Sequence, residues 1–215
     1  ERLVAPYGNW RAFAGPELDT VTRVPGATVV ALNSSAPRRA IVNGRVDSGQ
    51  VDFARQAFSV APAGDRRIVV VHHHFIPVPS GLGGPPLPGA AELIRAFVDM
   101  DVDVVLGGHV HQLHVRTSAD APGGRSETPD GRPLPFVACG TTLSSRGRGP
   151  EASWNGLTVL RLSPAEIRVT PHSRAPDASE FEALEDMTFP TVAAWKAEEP
   201  ADGGADARDA AGTTA

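Results

Sequence analysis

The sequence predicts an α/β fold in which parallel strands alternate with helices. Apolar, β-branched runs at 28–32, 68–71 and 102–106 are typical of buried strands. Amphipathic stretches at 50–59 and 88–100 lie between them and predict helices that each bury one face. Strand–helix–strand repeats of this kind place the strands parallel in one sheet.

The remaining elements are shorter. Residues 9–15 predict a short helix that ends at a glycine, and 113–117, 136–138, 157–162 and 167–171 predict strands separated by turns. The stretch 119–135 is polar and contains a Pro-Asp-Gly turn signal, so we expect a long loop there.

Composition excludes several classes of partner. The 215 residues carry 20 basic and 25 acidic side chains, a net charge of −5, with no basic stripe. A surface for nucleic acid or for an anionic membrane is therefore not expected. The sequence has no apolar run of about 18 residues, the length that would span a bilayer. Cys139 is the only cysteine, which fits a reducing compartment, and we expect a cytoplasmic protein.

The histidines carry most of the functional information. Six of the seven fall between His72 and His114, in two groups that each follow a predicted strand. The first group is His72–His74, and the second begins at Gly107-Gly108-His109-Val110-His111. Because ligands bind beyond the carboxyl ends of parallel strands, both groups should meet at one sheet edge if the two strands are neighbours.

We interpret His72, His109 and His111 as metal ligands. Imidazole suits Zn, Fe and Mn, and ligands from separate loops commonly form one site. In an extended backbone, a His-x-His pair directs both rings to the same side. Single histidines after a strand are usually ordinary polar residues with satisfied hydrogen bonds, and we interpret His74 and His114 in that way.

These residues resemble the last two signature blocks of the calcineurin-like metallophosphoesterases. One block is the apolar strand that runs into His72-His73-His74-Phe75-Ile76-Pro77, and the other is Gly108-His109-Val110-His111. The sequence is most similar to the bacterial phosphodiesterases that include the 3′,5′-cyclic nucleotide enzymes. The segment 31–34, Gly44, Gln50 and the segment 139–142 also look like family segments. The resemblance covers about residues 1–175, followed by an extension at 176–195 and an acidic, Ala/Gly-rich tail at 196–215 that we expect to be disordered.

The resemblance implies a four-layer αββα sandwich around two metal ions (Fe, Mn or Zn) that hydrolyses a small phosphodiester or phosphomonoester. It assigns His72 to one ion, and His109 and His111 to different ions of the pair. His73 is the alternative to His72, because Pro77 is displaced from its usual place in the block. Arg146 and Arg148 lie in a loop on the family's substrate side, where phosphate binding and simple surface solvation are both open. Related phosphodiesterases are often dimers, so a homodimer is a further expectation.

The sequence also departs from the family pattern. The family's Asp-x-His, Gly-Asp and Gly-Asn-His-Asp blocks do not occur, and Gly8-Asn9-Trp10 is the nearest string. We therefore expect that the first strands and helices of the fold are missing and that the strand at 68–71 has an open side. We also expect weak or no phosphodiesterase activity from this chain alone, because a bridging carboxylate offsets much of the charge of two cations.

Three other functional classes are alternatives. A non-catalytic binding or structural protein that kept the fold is the principal alternative. A cupin-like metal protein would need an all-β barrel and a nearby Glu, which the predicted helices and the histidine segments do not offer. A serine hydrolase is disfavoured, since the sequence has no Gly-x-Ser-x-Gly elbow.

Overall fold

A computed structural model describes residues 5–37, 44–78, 81, 83–121 and 131–198 of the chain. The helices are α1 (Gly8–Ala14), α2 (Ser48–Ser59), α3 (Ala90–Asp99) and α4 (Val192–Glu198). The strands, in chain order, are β1 (Thr20–Val24), β2 (Ala27–Leu32), β3 (Arg66–Val71), β4 (Val104–Gly107), β5 (His114–Thr117), β6 (Pro135–Ala138), β7 (Asn155–Leu162), β8 (Glu166–Arg174), β9 (Glu182–Ala183) and β10 (Met187–Pro190).

The predicted α/β fold class is confirmed. Six strands form one sheet in the order β1-β2-β3-β4-β6-β5, in which β2, β3, β4 and β6 are parallel and the two outer strands are antiparallel. The neighbouring strands β3 and β4 pair Ile68 with Val104 and Val70 with Leu106. The expected open side of the strand at 68–71 is wrong, because β2 pairs with β3 along its other side.

Side chains alternate across this sheet with the period of two that strands impose. Val69, Val71 and Val105 pack on one face against α2 and α3. On the opposite face, Ile68 and Val104 pack against a second sheet. The layers are thus helices, six-stranded sheet and second sheet, the succession expected for the sandwich.

The second sheet has the order β10-β8-β7, and β9 pairs with β8. Its contribution to the core comes mainly from Ile167 and Val169, which are fully buried. The segment 176–195 supplies β9, β10 and the start of α4, elements that sequence reasoning missed. The predicted boundary at 196 falls inside α4, and the rest of the predicted tail lies outside the described residues.

One buried carboxylate joins the C-terminal helix α4 to the six-stranded sheet. Asp103 is 3% exposed, and its side chain accepts hydrogen bonds from the backbone N–H of Arg67 (2.8 Å) and of Val192 (2.9 Å). It therefore ties the start of α4 to the beginning of β3. Within the described ranges, no helix is long and apolar enough to cross a membrane.

We predict that Asp103→Ala lowers the free energy of unfolding by about 3 kcal/mol, because two buried N–H groups lose a charged acceptor. Chemical denaturation measures this change. Asp52→Ala is the matched control: that carboxylate forms an exposed pair with Arg55, and its loss should change stability by no more than about 0.5 kcal/mol. Equal effects of the two substitutions would contradict the assigned role.

Candidate metal centre

The parallel pairing of β3 and β4 brings the two histidine groups to one edge of the sheet. His72 follows the last residue of β3, and β4 ends at Gly107, two residues before His109. The Gly108 N–H donates to the His72 carbonyl at 3.0 Å, which holds the two loops together. A Cβ at Gly107 would lie 3.1 Å from the Val71 carbonyl oxygen, so a larger residue would require the two backbones to separate by a few tenths of an ångström.

Three imidazoles form a compact cluster at this edge. One potential ligand nitrogen from each of His72, His73 and His109 lies within 4.8 Å of the others. Nδ1 of His109 and Nε2 of His72 are 3.3 Å apart. Two nitrogens bound at about 2.0–2.1 Å to one tetrahedral ion are separated by roughly this distance. The His72–His109 pair therefore matches two ligands of one metal ion, and the His73 nitrogen lies within 4.8 Å of both.

Two small residues, Ser34 and Gly44, contact His73 and fix its position. Its backbone N–H donates to Ser34 Oγ at 3.3 Å, and the same hydroxyl lies 2.8 Å from His73 Nδ1. Gly44 packs against the ring: a Cβ there would overlap His73 Nδ1 and lie 2.6 Å from the Ser34 carbonyl. The resemblance marked the segments that carry Ser34 and Gly44, but it gave them no role.

The cluster is neutral at physiological pH. Burial, followed by the neighbouring imidazoles of His109, His72 and His74, lowers the pKa of His73 to about 4. The pKa of His109 is also lowered to about 4, first by burial and then by nearby positive charge, to which Arg148 contributes. Burial lowers the pKa of His72 as well. A ring must be unprotonated to bind a metal, so the lone pairs are available without proton loss at pH 7.

The backbone at the His-x-His pair is not extended, contrary to the expectation from sequence. His109 and His111 have φ of 59° and 56°, in the left-handed region that non-glycine residues rarely adopt. The turn after Gly107-Gly108, with a hydrogen bond from Val110 N–H to the Gly108 carbonyl (2.6 Å), replaces a continued strand. Such strained positions persist where the surroundings fix them, which is frequent at functional sites.

His111 lies outside the three-histidine cluster. Its Nδ1 is 2.9 Å from the Arg146 carbonyl. A carbonyl only accepts, so Nδ1 carries the hydrogen and Nε2 of the neutral ring carries a free lone pair. This arrangement is the usual one for a metal-binding histidine, yet the assignment of His111 as a ligand stays a prediction.

The loop with Arg146 and Arg148 is held to the histidine loop by three consecutive residues. Besides the His111 contact, Gln112 Nε2 donates to the Arg148 carbonyl at 2.9 Å. The Leu113 N–H donates to both oxygens of the Glu151 carboxylate, at 2.7 and 2.9 Å. The side chains of Arg146 and Arg148 remain exposed, and Arg148 is close enough for its charge to act on His109.

His74 and His114 differ from the expectation that their hydrogen bonds are satisfied. Nδ1 of each ring is buried and has no hydrogen-bond partner among the residues that the structure describes. The ring of His74 is nearly parallel to that of His109, with an interplanar angle of 17° and centroids 5.8 Å apart. His74 therefore stacks on the cluster, and His114 lines the same small cavity as His73 and His74.

No protein-family model matches the chain, and no curated protein matches its sequence. Solved structures with similar folds include Vps29 from Entamoeba histolytica complexed with Zn²⁺ (10% identity, TM-score 0.35, 80% of this chain covered). They also include GAP50, the anchor in the inner membrane complex of Plasmodium (18%, 0.49, 80%), and a putative 5′-nucleotidase from Staphylococcus aureus (13%, 0.35, 80%). This chain spans 60%, 53% and 29% of their respective lengths.

Gly44→Ala should displace the His73 ring, because the new methyl group overlaps Nδ1 and the residue has a φ of 68°. The backbone strain alone is worth about 1–3 kcal/mol, and overpacking adds a comparable amount. Denaturation gives the stability change, and the His73 imidazole resonances report the displacement.

The matched control is Gly64→Ala, where φ is 85° and an added Cβ meets nothing within 4 Å. It should show the backbone strain without any change at His73. If both variants leave the His73 resonances untouched, Gly44 does not support the ring.

Stability of the metal-free protein should fall as the pH drops from 6.5 toward 4. In this window the unfolded state protonates His73, whose folded-state pKa is about 4, so protons favour unfolding. The contribution is fully present above pH 6.5 and is lost as the pH approaches 4. Denaturation at a series of pH values measures the slope, which His73→Gln should reduce; an unchanged slope would contradict the buried neutral ring.

Proposed function

We propose that this chain carries the histidine part of a two-metal phosphoesterase site of the calcineurin-like type, acting on a phosphodiester or phosphomonoester. The observation that supports this proposal is the convergence of His72, His73 and His109 within 4.8 Å at the carboxyl edge of parallel strands. Their sequence context, Gly-His-x-His after a His-His-His run, favours the phosphoesterase family over other histidine metal sites.

The first ion would be held by His72, His109 and His73. His73 is the third ligand, and Ser34 orients its ring. If His73 Nδ1–H donates to the Ser34 hydroxyl, the lone pair of Nε2 is free to coordinate the metal. His111 would serve the second ion, with its Nδ1–H fixed by the Arg146 carbonyl and its Nε2 free. Zn, Fe and Mn all accept such nitrogen donors, so the ligand set does not select among them.

Phosphate binding is supported by the charge around the cluster. The three ligands are neutral, so a bound cation would keep its full charge. Arg148 adds a guanidinium whose charge acts on His109, and Arg146 lies two residues away on the same exposed loop. A guanidinium offers paired donors to phosphate oxygens, and we assign Arg148 to the binding and orientation of the phosphate.

When bound, the metal ions would polarise the phosphoryl oxygens and lower the pKa of a water nucleophile. The contribution of this chain is to place the ligands on the rigid ends of two strands and to orient the phosphate through Arg148. The cluster contains no carboxylate from the described residues. We accordingly propose that this chain alone hydrolyses phosphate esters weakly or not at all. The non-catalytic alternative is a protein that binds metal and phosphate without turnover.

Phosphate binding next to a metal tests the proposal directly. Protein freed of metal with a chelator is titrated with Mn²⁺, and the ³¹P relaxation of added inorganic phosphate is measured. We expect saturable Mn²⁺ binding and faster ³¹P relaxation than Mn²⁺ alone produces. His109→Ala should weaken Mn²⁺ binding at least roughly tenfold. His172→Ala, a histidine of the second sheet, is the control and should bind as the unmodified chain does.

Two results would count against the proposal. Equal Mn²⁺ affinity of the His109→Ala and His172→Ala variants would show that the metal does not bind at the histidine cluster. If the Mn²⁺-loaded chain does not enhance the ³¹P relaxation, phosphate does not bind next to the metal. Arg148→Ala separates the two functions, since it should reduce the relaxation enhancement while Mn²⁺ binding persists.

A further inference from the structure

His74 and His114 present two buried nitrogens that need a hydrogen-bond donor. His74 is 8% exposed, and its Nε2 lies 3.3 Å from the Gly84 carbonyl. Because the carbonyl only accepts, the hydrogen is on Nε2, and Nδ1 carries a lone pair. That Nδ1 is buried and has no partner among the described residues.

His114 shows the same pattern, in which one ring nitrogen is hydrogen-bonded to the backbone and the other has no partner among the described residues. Its ring forms a hydrogen bond with the backbone of Gln112, and this bond favours a higher pKa of His114. A hydrogen bond with that effect is one that the ring donates to a carbonyl. Nδ1, the other nitrogen, is also buried without a partner among the described residues. Both rings thus have a buried nitrogen lone pair without a hydrogen bond from a described residue, whereas buried polar atoms in proteins are normally hydrogen-bonded.

The two rings line one small cavity of about 20 Å³, together with His73, Arg116 and mainly apolar residues of β3, β4 and β6. A single water needs about 10–15 Å³ and two to four polar partners. The cavity is therefore large enough for one water and too small for an organic ligand. Neither Nδ1 accepts a hydrogen bond from a described residue, and a water has two hydrogens to donate, one for each lone pair.

We propose that one buried water donates a hydrogen to Nδ1 of His74 and the other to Nδ1 of His114. The bridge fixes the plane of His74, whose ring stacks on His109 at an angle of 17°. His109 has a left-handed backbone, a conformation that persists only where the surroundings fix it, and the stacked ring of His74 is part of those surroundings. His114 is thereby a positioning residue: it acts on the cluster through the water and His74.

The water site is tested in the unmodified chain by long-range ¹H–¹⁵N correlation and by a high-resolution crystal structure. We expect the Nε2–H tautomer with a hydrogen-bonded Nδ1 for both His74 and His114. His111 and His172 are internal controls with the opposite tautomer, because their Nδ1 atoms lie 2.9 and 3.0 Å from backbone carbonyls. The crystal should contain one solvent peak between the two Nδ1 atoms. An Nδ1–H tautomer in either ring, no peak, or an anomalous scatterer in that place would overturn the water bridge.

The positioning role is tested with His114→Phe, which keeps a ring without the acceptor, and with His114→Asn, which restores one. The Phe variant should shift the His74 Nδ1 resonance toward that of an unbonded nitrogen and weaken Mn²⁺ binding roughly tenfold. The Asn variant should recover most of both. Unchanged Mn²⁺ affinity in the Phe variant would overturn the positioning role. This second test alone rests on the proposed function: if the unmodified chain binds no Mn²⁺, the proposed function fails, while the tautomers and the solvent peak still decide the water site.

Discussion

Everything at the candidate site depends on the parallel pairing of β3 with β4. That pairing aligns Val70 with Leu106 and delivers both histidine loops to one edge of the sheet. The adjacent strand β2 brings Ser34 to the same edge, where its hydroxyl contacts His73. Because all three segments leave rigid, buried strands, the sheet brings the three imidazoles to one edge. The left-handed turn at His109 and the contacts of Ser34 and Gly44 with His73 then set the positions of the rings.

Crowding of the imidazoles is the second constraint. Three rings within hydrogen-bond or stacking distance of one another cannot all be protonated, and burial adds to this effect, so the cluster consists of neutral bases. Neutral nitrogen donors next to an exposed guanidinium, Arg148, form a site with positive character, and the cluster contains no carboxylate from the part of the chain that the structure describes. A cation at the cluster would strengthen that character and attract an anion such as phosphate.

Sequence reasoning predicted the parts that follow from hydrophobic pattern. The buried strands, α2 and α3, and the meeting of two histidine groups at one edge were predictable because strands and helices have fixed periods. The conformation of His109 and His111 was not: a tight turn with positive φ leaves no signal when the residues are not glycine. The contacts of Gly44 and Ser34 with His73 were also hidden, since they join residues separated by 29 and 39 positions. The segment with β10 and α4 lacked a clear period, and its place depends on the buried Asp103.

The central claim is that His72, His73 and His109 share one metal ion. The most direct measurement is an anomalous difference map from crystals of the chain grown with Mn²⁺. We expect a peak within bonding distance of one nitrogen from each of the three rings. A Mn²⁺ peak bound elsewhere, with the three imidazoles left in contact only with each other and with Ser34, would contradict it.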